Sequence, residues 1–193
     1  MDFSLLPTGT FFSGRPLLTP IDQKLDARLI ALPSVRERAQ SAVMFSEQAA
    51  KADENWTAAY LRAALADMVS MEEVQALDQR ARQPLKVKDS KNPLVHLLAL
   101  IRHLNIHVKS VVTSTQTVSA SFHDHNFEMN VHIVDNVNVG DLQALKNGRH
   151  YSFSDLTRML DWFRASQIHW GAGYVVRVGA EAYASEVATH HGA

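Results

Sequence analysis

The chain has 193 residues, 46% hydrophobic and 20% charged, enough for one well-buried core and within the usual size of a single domain. Its 19 Lys and Arg against 20 Asp and Glu leave a formal charge of -1, so no global basic field draws it onto nucleic acid and any RNA contact must be local. The absence of cysteine excludes disulfides, thiolate metal sites and cysteine nucleophiles, and fits a cytoplasmic protein.

Residues 1–33 read as an N-terminal arm followed by a short helix. Pro7, Gly9, Gly14, Pro16 and Pro20 recur too often for a helix, while Phe3, Leu5, Leu6, Phe11 and Phe12 give the arm an apolar side that lies on the core or docks a protein partner. No basic stretch precedes a continuous apolar run, and no window reaches the roughly 18 apolar residues of a membrane span, so no membrane association is expected. From Ile21 the period becomes helical through Leu25, Leu29 and Leu32, until Pro33 ends the run.

Residues 34–193 are expected to form a single helical domain. Ser34 is a candidate cap for a helix whose Val35, Ala39, Ala42, Val43 and Ala49 make a narrow stripe of small residues. After an interruption at 53–55, a second helix runs to about Arg82, with Trp56, Ala59, Tyr60, Ala63, Ala64, Val69, Val74 and Leu77 as its expected buried face. Asn92 and Pro93 start a third helix. Residues 111–134 then change character: "SVVTSTQTVSASF" has no helical period, "HDHN" suits a turn, and Phe127, Met129, Val131 and Ile133 alternate, which predicts a β-hairpin. Beyond Gly140 and the turn "KNGRH", Ser154 is the expected cap of a last helix with Leu156, Leu160, Phe163 and Ile168 in period, bent or broken near Gly171 and Gly173.

The third helix carries the chemistry. At about 100° per residue, His96, His103 and His107 fall within about 40° of one another and form one stripe, with Leu97, Leu100, Ile101, Leu104 and Val108 as the core face. Arg102, His103, Asn105 and His107 crowd a guanidinium, two imidazoles and an amide into little more than one turn. Attack of a ribose 2′-OH on the adjacent phosphate needs a group that exchanges a proton near neutral pH, which imidazole is, and a fixed cation for the charge developing on phosphorus, which guanidinium supplies. Positions five apart are separated by about 140°, so Arg102 and His107 of one chain do not easily close on one phosphate, whereas two facing copies of the helix could bring them together.

The segment "RHLNIH" resembles the Arg, polar residue, three residues, His signature of HEPN domains, and "HLLALIRHLNIHV" is similar to the apolar helix that bears it there. The resemblance implies a helical bundle, here with an appended hairpin, and a metal-independent, cofactor-free endoribonuclease acting as a homodimer on RNA in a toxin–antitoxin or antiviral setting. It gives Arg102 and His107 the catalytic roles across the dimer cleft and makes His103, with Asn105, supporting. The hairpin and the helix after it depart from the minimal four-helix arrangement.

Other readings stand beside this one. The polar residues of the third helix also suit a solvated or partner-facing stripe on a non-catalytic interaction or regulatory module, with Arg102 paired to a carboxylate. His103 and His107, four apart, could share a metal ion, and His123, Asp124, His125 and His132 form a second histidine-rich group, although a polar hairpin tip is usually only a solvated turn. Trp162, Phe163, Trp170 and Tyr174 could stack bases, but their helical spacing favours packing.

Overall fold

Helix α1 (Pro33–Lys51) and helix α2 (Glu54–Asp78) pack on each other as a helical hairpin, in a computed structural model that describes residues 1–7, 25–78, 82–122 and 125–192, with backbone alone at 120–122 and 125–127. The small-residue stripe of α1 is buried as expected. Its start is capped differently. Pro33 is already helical, Leu32 offers no capping side chain, and the Asp78 carboxylate instead accepts from the Ser34 and Val35 backbone N–H groups at 3.0 and 2.9 Å. A residue far along the chain thus does the work expected of Ser34, and a carboxylate is well suited to a helix N-terminus.

The buried face of α2 is Thr57, Leu61, Ala64, Leu65, Met68, Met71 and Gln75, so it lies about one residue away from the expected one, and Trp56 and Leu77 are exposed. Two polar residues explain the difference. The Thr57 hydroxyl donates to the Asp53 carbonyl at 2.9 Å, and Gln75 satisfies its amide on backbone. A hydrophobicity pattern places such residues outside, but partners supplied by the fold allow them in.

The chain between α2 and the next helix is strapped down by Gln75. Its Nε2 donates to the Met71 and Leu85 carbonyls, and its Oε1 accepts from the Leu85 N–H at 2.8 Å. Helix α3 (Pro93–His107) follows, capped by Asn92, whose side chain accepts from the Leu94 N–H. Residues 93–101 and Leu104 are all buried. Val108, expected in the core, is exposed because the helix has ended: its backbone lies at φ -125 and ψ -60.

Strands β1 (Thr113–Phe122) and β2 (His125–Val134) pair antiparallel from Thr113 opposite Val134 to Phe122 opposite His125, the hairpin expected at 111–134. Val131 and Ile133 are buried. A short helix α4 (Val139–Ala144), not expected from the sequence, is capped by Asn138 on the Asp141 N–H. The last helix, α5 (Phe153–His191), is capped by Ser152 rather than Ser154. It is kinked at Gly171, which has φ 75 and ψ 152, while Gly173 lies within the helix. The molecule is mainly α, with one two-stranded sheet.

The described part of the N-terminal arm packs on its own chain. The Asp2 N–H donates to the Lys91 carbonyl, the Arg158 guanidinium sits 4.1 Å above the Phe3 ring, Leu6 is buried, and the Trp162 indole N–H donates to the Pro7 carbonyl. Phe11, Phe12 and the start of the expected short helix at Ile21 lie outside the described residues. Its remainder is a 3₁₀ turn, Ala27–Ala31, begun by Asp26, whose carboxylate accepts from the Arg28 N–H, the Arg28 guanidinium and the Ser185 hydroxyl. The Arg28 hydrogen bond is the main reason its pKa falls to about 2. Among the described residues no helix is long and apolar enough to cross a membrane.

At Gly173 α5 lies close against α1: a Cβ there would stand 2.6 Å from the Ser46 carbonyl oxygen and 3.0 Å from the Ala50 nitrogen. Both are backbone atoms of a helix and cannot swing aside. Gly173→Ala is therefore expected to destabilise the protein by about 1–3 kcal/mol despite the better helix propensity of Ala, read as a lower urea midpoint.

Candidate active site

Four segments converge beside α3 on a cleft of about 800 Å³. Helix α2 gives it Glu72 and Glu73, the connection gives Lys86 and Lys88, the turn before α5 gives Asn147, His150 and Tyr151, and the arm gives Met1, while α3 itself gives Arg102 and His103. The Glu72 carboxylate accepts from the Val87 N–H at 2.8 Å, which joins the first two walls.

His96 also borders the cleft but is spoken for. Its Nε2 lies 2.8 Å from the Ser90 carbonyl and its Nδ1 lies 2.6 Å from the Tyr151 hydroxyl. A carbonyl only accepts, so Nε2 carries the proton and Nδ1 accepts from Tyr151. Burial lowers the His96 pKa and pushes that of Tyr151 up to about 12, so both groups are neutral near pH 7. The stripe of three histidines therefore does not act as one unit: its first member is a satisfied core residue.

Arg102 is different. It is half-buried, its Nε is closed off from solvent without a hydrogen-bond partner, and it makes no ion pair among the described residues. The carboxylate pairing considered for it is absent there. A guanidinium on a cleft wall with no carboxylate beside it leaves its charge free for an anionic acceptor. Beside it, His103 Nε2 lies 3.2 Å from the Asn147 Nδ2, an amide donor, so its proton sits on Nδ1. Burial first, then the charges of Arg102 and His107, lowers its pKa and keeps the ring neutral.

His107 is exposed, outside the cleft lining, with its ring stacked on His103 at 5.9 Å between centroids and 20° between planes. One protomer thus places Arg102 and His103 in the cleft and His107 at its edge. Ile106, Val108 and Val112 beside His107 are exposed apolar residues, 53%, 60% and 52% accessible. Asn105 takes no part in the cleft. Its Oδ1, expected in a supporting role at the site, accepts from the Val111 N–H at 2.9 Å and holds the turn into β1.

Of the other histidines singled out in the sequence, His132 finds structural partners. His132 Nε2 donates to the Ala52 carbonyl and its Nδ1 meets the Thr115 hydroxyl, tying the hairpin to the α1–α2 junction. His123 and Asp124, and the side chain of His125, lie outside the described residues. Among the described residues no group of three or more His, Asp or Glu could hold a metal ion. Phe163 is buried and Trp170 stacks on Tyr174 at 5.1 Å, both on α5. The residues that sequence reasoning missed are Glu72, Glu73, Lys86, Lys88, Asn147, His150 and Tyr151. "KNGRH" signals only a turn, and nothing local ties it to a helix some forty residues earlier.

The chain matches no model of a known protein family, no curated protein and no solved structure.

His96, His103 and His191 all have lowered pKa values in the folded state, each first because of burial. The unfolded chain, with imidazoles near 6.5, then binds more protons than the fold below that pH. Stability is expected to be complete above about pH 6.5 and to decline as pH falls from there towards the lowered values. His96→Gln should flatten part of that slope in urea midpoints measured between pH 7.5 and 5.

Proposed function

We infer that the protein is a metal-independent endoribonuclease of HEPN type, working as a homodimer in which Arg102 binds the scissile phosphate and His107 transfers the proton. The observation that carries this reading is the Arg102 guanidinium, which lines a large cleft and has no ion-pair partner among the described residues. A phosphate oxygen is an acceptor of the right charge, and a fixed guanidinium stabilises the charge that develops at phosphorus.

The division of roles follows from where each imidazole stands. His103 is neutral beside Arg102, suited to orient or relay a proton without opposing the cation. His107 is open to a second copy. Burying Ile106, Val108 and Val112 against their symmetry mates gives such a copy an apolar contact around His107, and an isologous arrangement would bring that imidazole towards the partner subunit's cleft. The same apolar residues would equally suit a different protein partner, which is what a regulatory module would use.

Three measurements test the reading together. Purified protein is expected to run near twice 21.5 kDa. His107→Ala and Arg102→Ala are each expected to slow cleavage of single-stranded RNA by about 10²–10⁴-fold without unfolding the chain, with EDTA leaving the wild-type rate unchanged and products ending in 2′,3′-cyclic phosphate. Arg102→Lys should restore only part of the rate, because an ammonium does not reproduce the guanidinium fork. A monomer that leaves varied RNAs intact would move the assignment to the interaction module.

A further inference from the structure

The cleft is lined by both signs of charge, and that narrows what can occupy it. Arg102, Lys86 and Lys88 are cationic, while α2 brings the carboxylates of Glu72 and Glu73. A ligand that is anionic throughout would meet repulsion along α2, and at about 800 Å³ the space is far larger than one phosphate needs. Tyr151 also lines the cleft. Its hydroxyl is committed to His96 Nδ1 and its ring is set edge-on to the imidazole at 5.5 Å and 73°. What Tyr151 offers the cleft is therefore the body of an aromatic ring held in place, not a polar tip.

We propose that the cleft is a base-selective nucleotide subsite, taking one phosphate on Arg102 and an amine-bearing base, such as cytosine or adenine, against the α2 carboxylates, and discriminating against uridine. It rests on reading Arg102 as a phosphate ligand. The exocyclic amine of cytosine or adenine donates hydrogen bonds, which a carboxylate accepts; uracil presents a carbonyl oxygen at the corresponding place and repels it. Glu73 is the better reader of the two. Glu72 already spends one oxygen on the Val87 N–H, whereas Glu73 is exposed at the cleft wall. Stacking of the base on Tyr151 is indifferent to its identity and adds affinity for all four.

Calorimetric titration of the full chain with CMP, AMP, UMP and inorganic phosphate separates the parts. Wild type is expected to bind CMP and AMP about tenfold more tightly than UMP, as one well-placed polar pair warrants. Glu73→Gln, at an exposed position that leaves folding intact, should remove that preference, since its amide can donate to the uracil carbonyl; inorganic phosphate should bind it at least as tightly as wild type. Arg102→Ala should lose phosphate and all three nucleotides together. Equal affinity of wild type for CMP and UMP would overturn the base selectivity while leaving Arg102 as a phosphate ligand. A preference that survives Glu73→Gln would overturn the assignment to the α2 wall. No binding of phosphate or any nucleotide at millimolar concentration would overturn the subsite and, with it, the phosphate role of Arg102.

Discussion

Helix α3 is enclosed. Every residue from 93 to 101 is buried, which an α-helix achieves only when α2, α5, α4 and the preceding connection surround it. A helix in that position must be apolar all round, and any polar side chain on it must be neutral and fully paired. His96 meets both conditions through Ser90 and Tyr151. Only beyond Ile101 does the helix reach the surface, so Arg102, His103 and His107 stand at the end of a rigid rod. The tightness of the core is what allows a small group of polar residues to be held in one place.

The walls of the cleft depend on a second buried polar group. The Leu85 carbonyl accepts from Gln75 Nε2 at 3.0 Å and from the Tyr183 hydroxyl at 2.7 Å, while Gln75 Oε1 accepts from the Leu85 N–H and from His191 Nε2. One residue of an irregular segment is thereby fixed to α2 and to the far end of α5. The segment that follows carries Lys86 and Lys88 into the cleft. A connection tied only by solvent-exposed contacts would leave those two side chains without a defined position, and each unmatched buried group would cost about 1–3 kcal/mol.

The hairpin is joined to the helices mainly through its base. Gln167 takes both the N–H and the carbonyl of Val134, at 2.8 and 2.6 Å, and His132 reaches the Ala52 carbonyl. The kink in α5 lies beside it: the Cα of Gly171 faces the His132 backbone, and the left-handed φ of 75 is one that glycine alone adopts without strain. Two straight halves of α5 can then follow different surfaces, the earlier part against the arm and the later part against α1 and α3.

Much of this architecture was legible along the chain. Local patterns carried the α1 stripe, the start of α3 at Asn92 and Pro93, the break near Gly171, and the hairpin at 111–134, because each depends on residues within a few positions of one another. The cluster from Arg102 to His107 was visible for the same reason: four residues within little more than one turn need no fold to be neighbours. The sequence by itself determined the helix, its apolar enclosure and the polar end. Tertiary structure alone decided which partners those polar residues have. It made His96 a structural partner of Tyr151, turned Asn105 to the Val111 N–H, and left the Arg102 Nε without an acceptor among the described residues. It also drew Glu73, Lys86 and His150 to one cleft, and moved the buried face of α2 by admitting Thr57 and Gln75. The physical reason is the same in each case. Burial and hydrogen bonding of a polar group are settled by partners tens of residues away, and no periodicity in its own helix records where those partners will be.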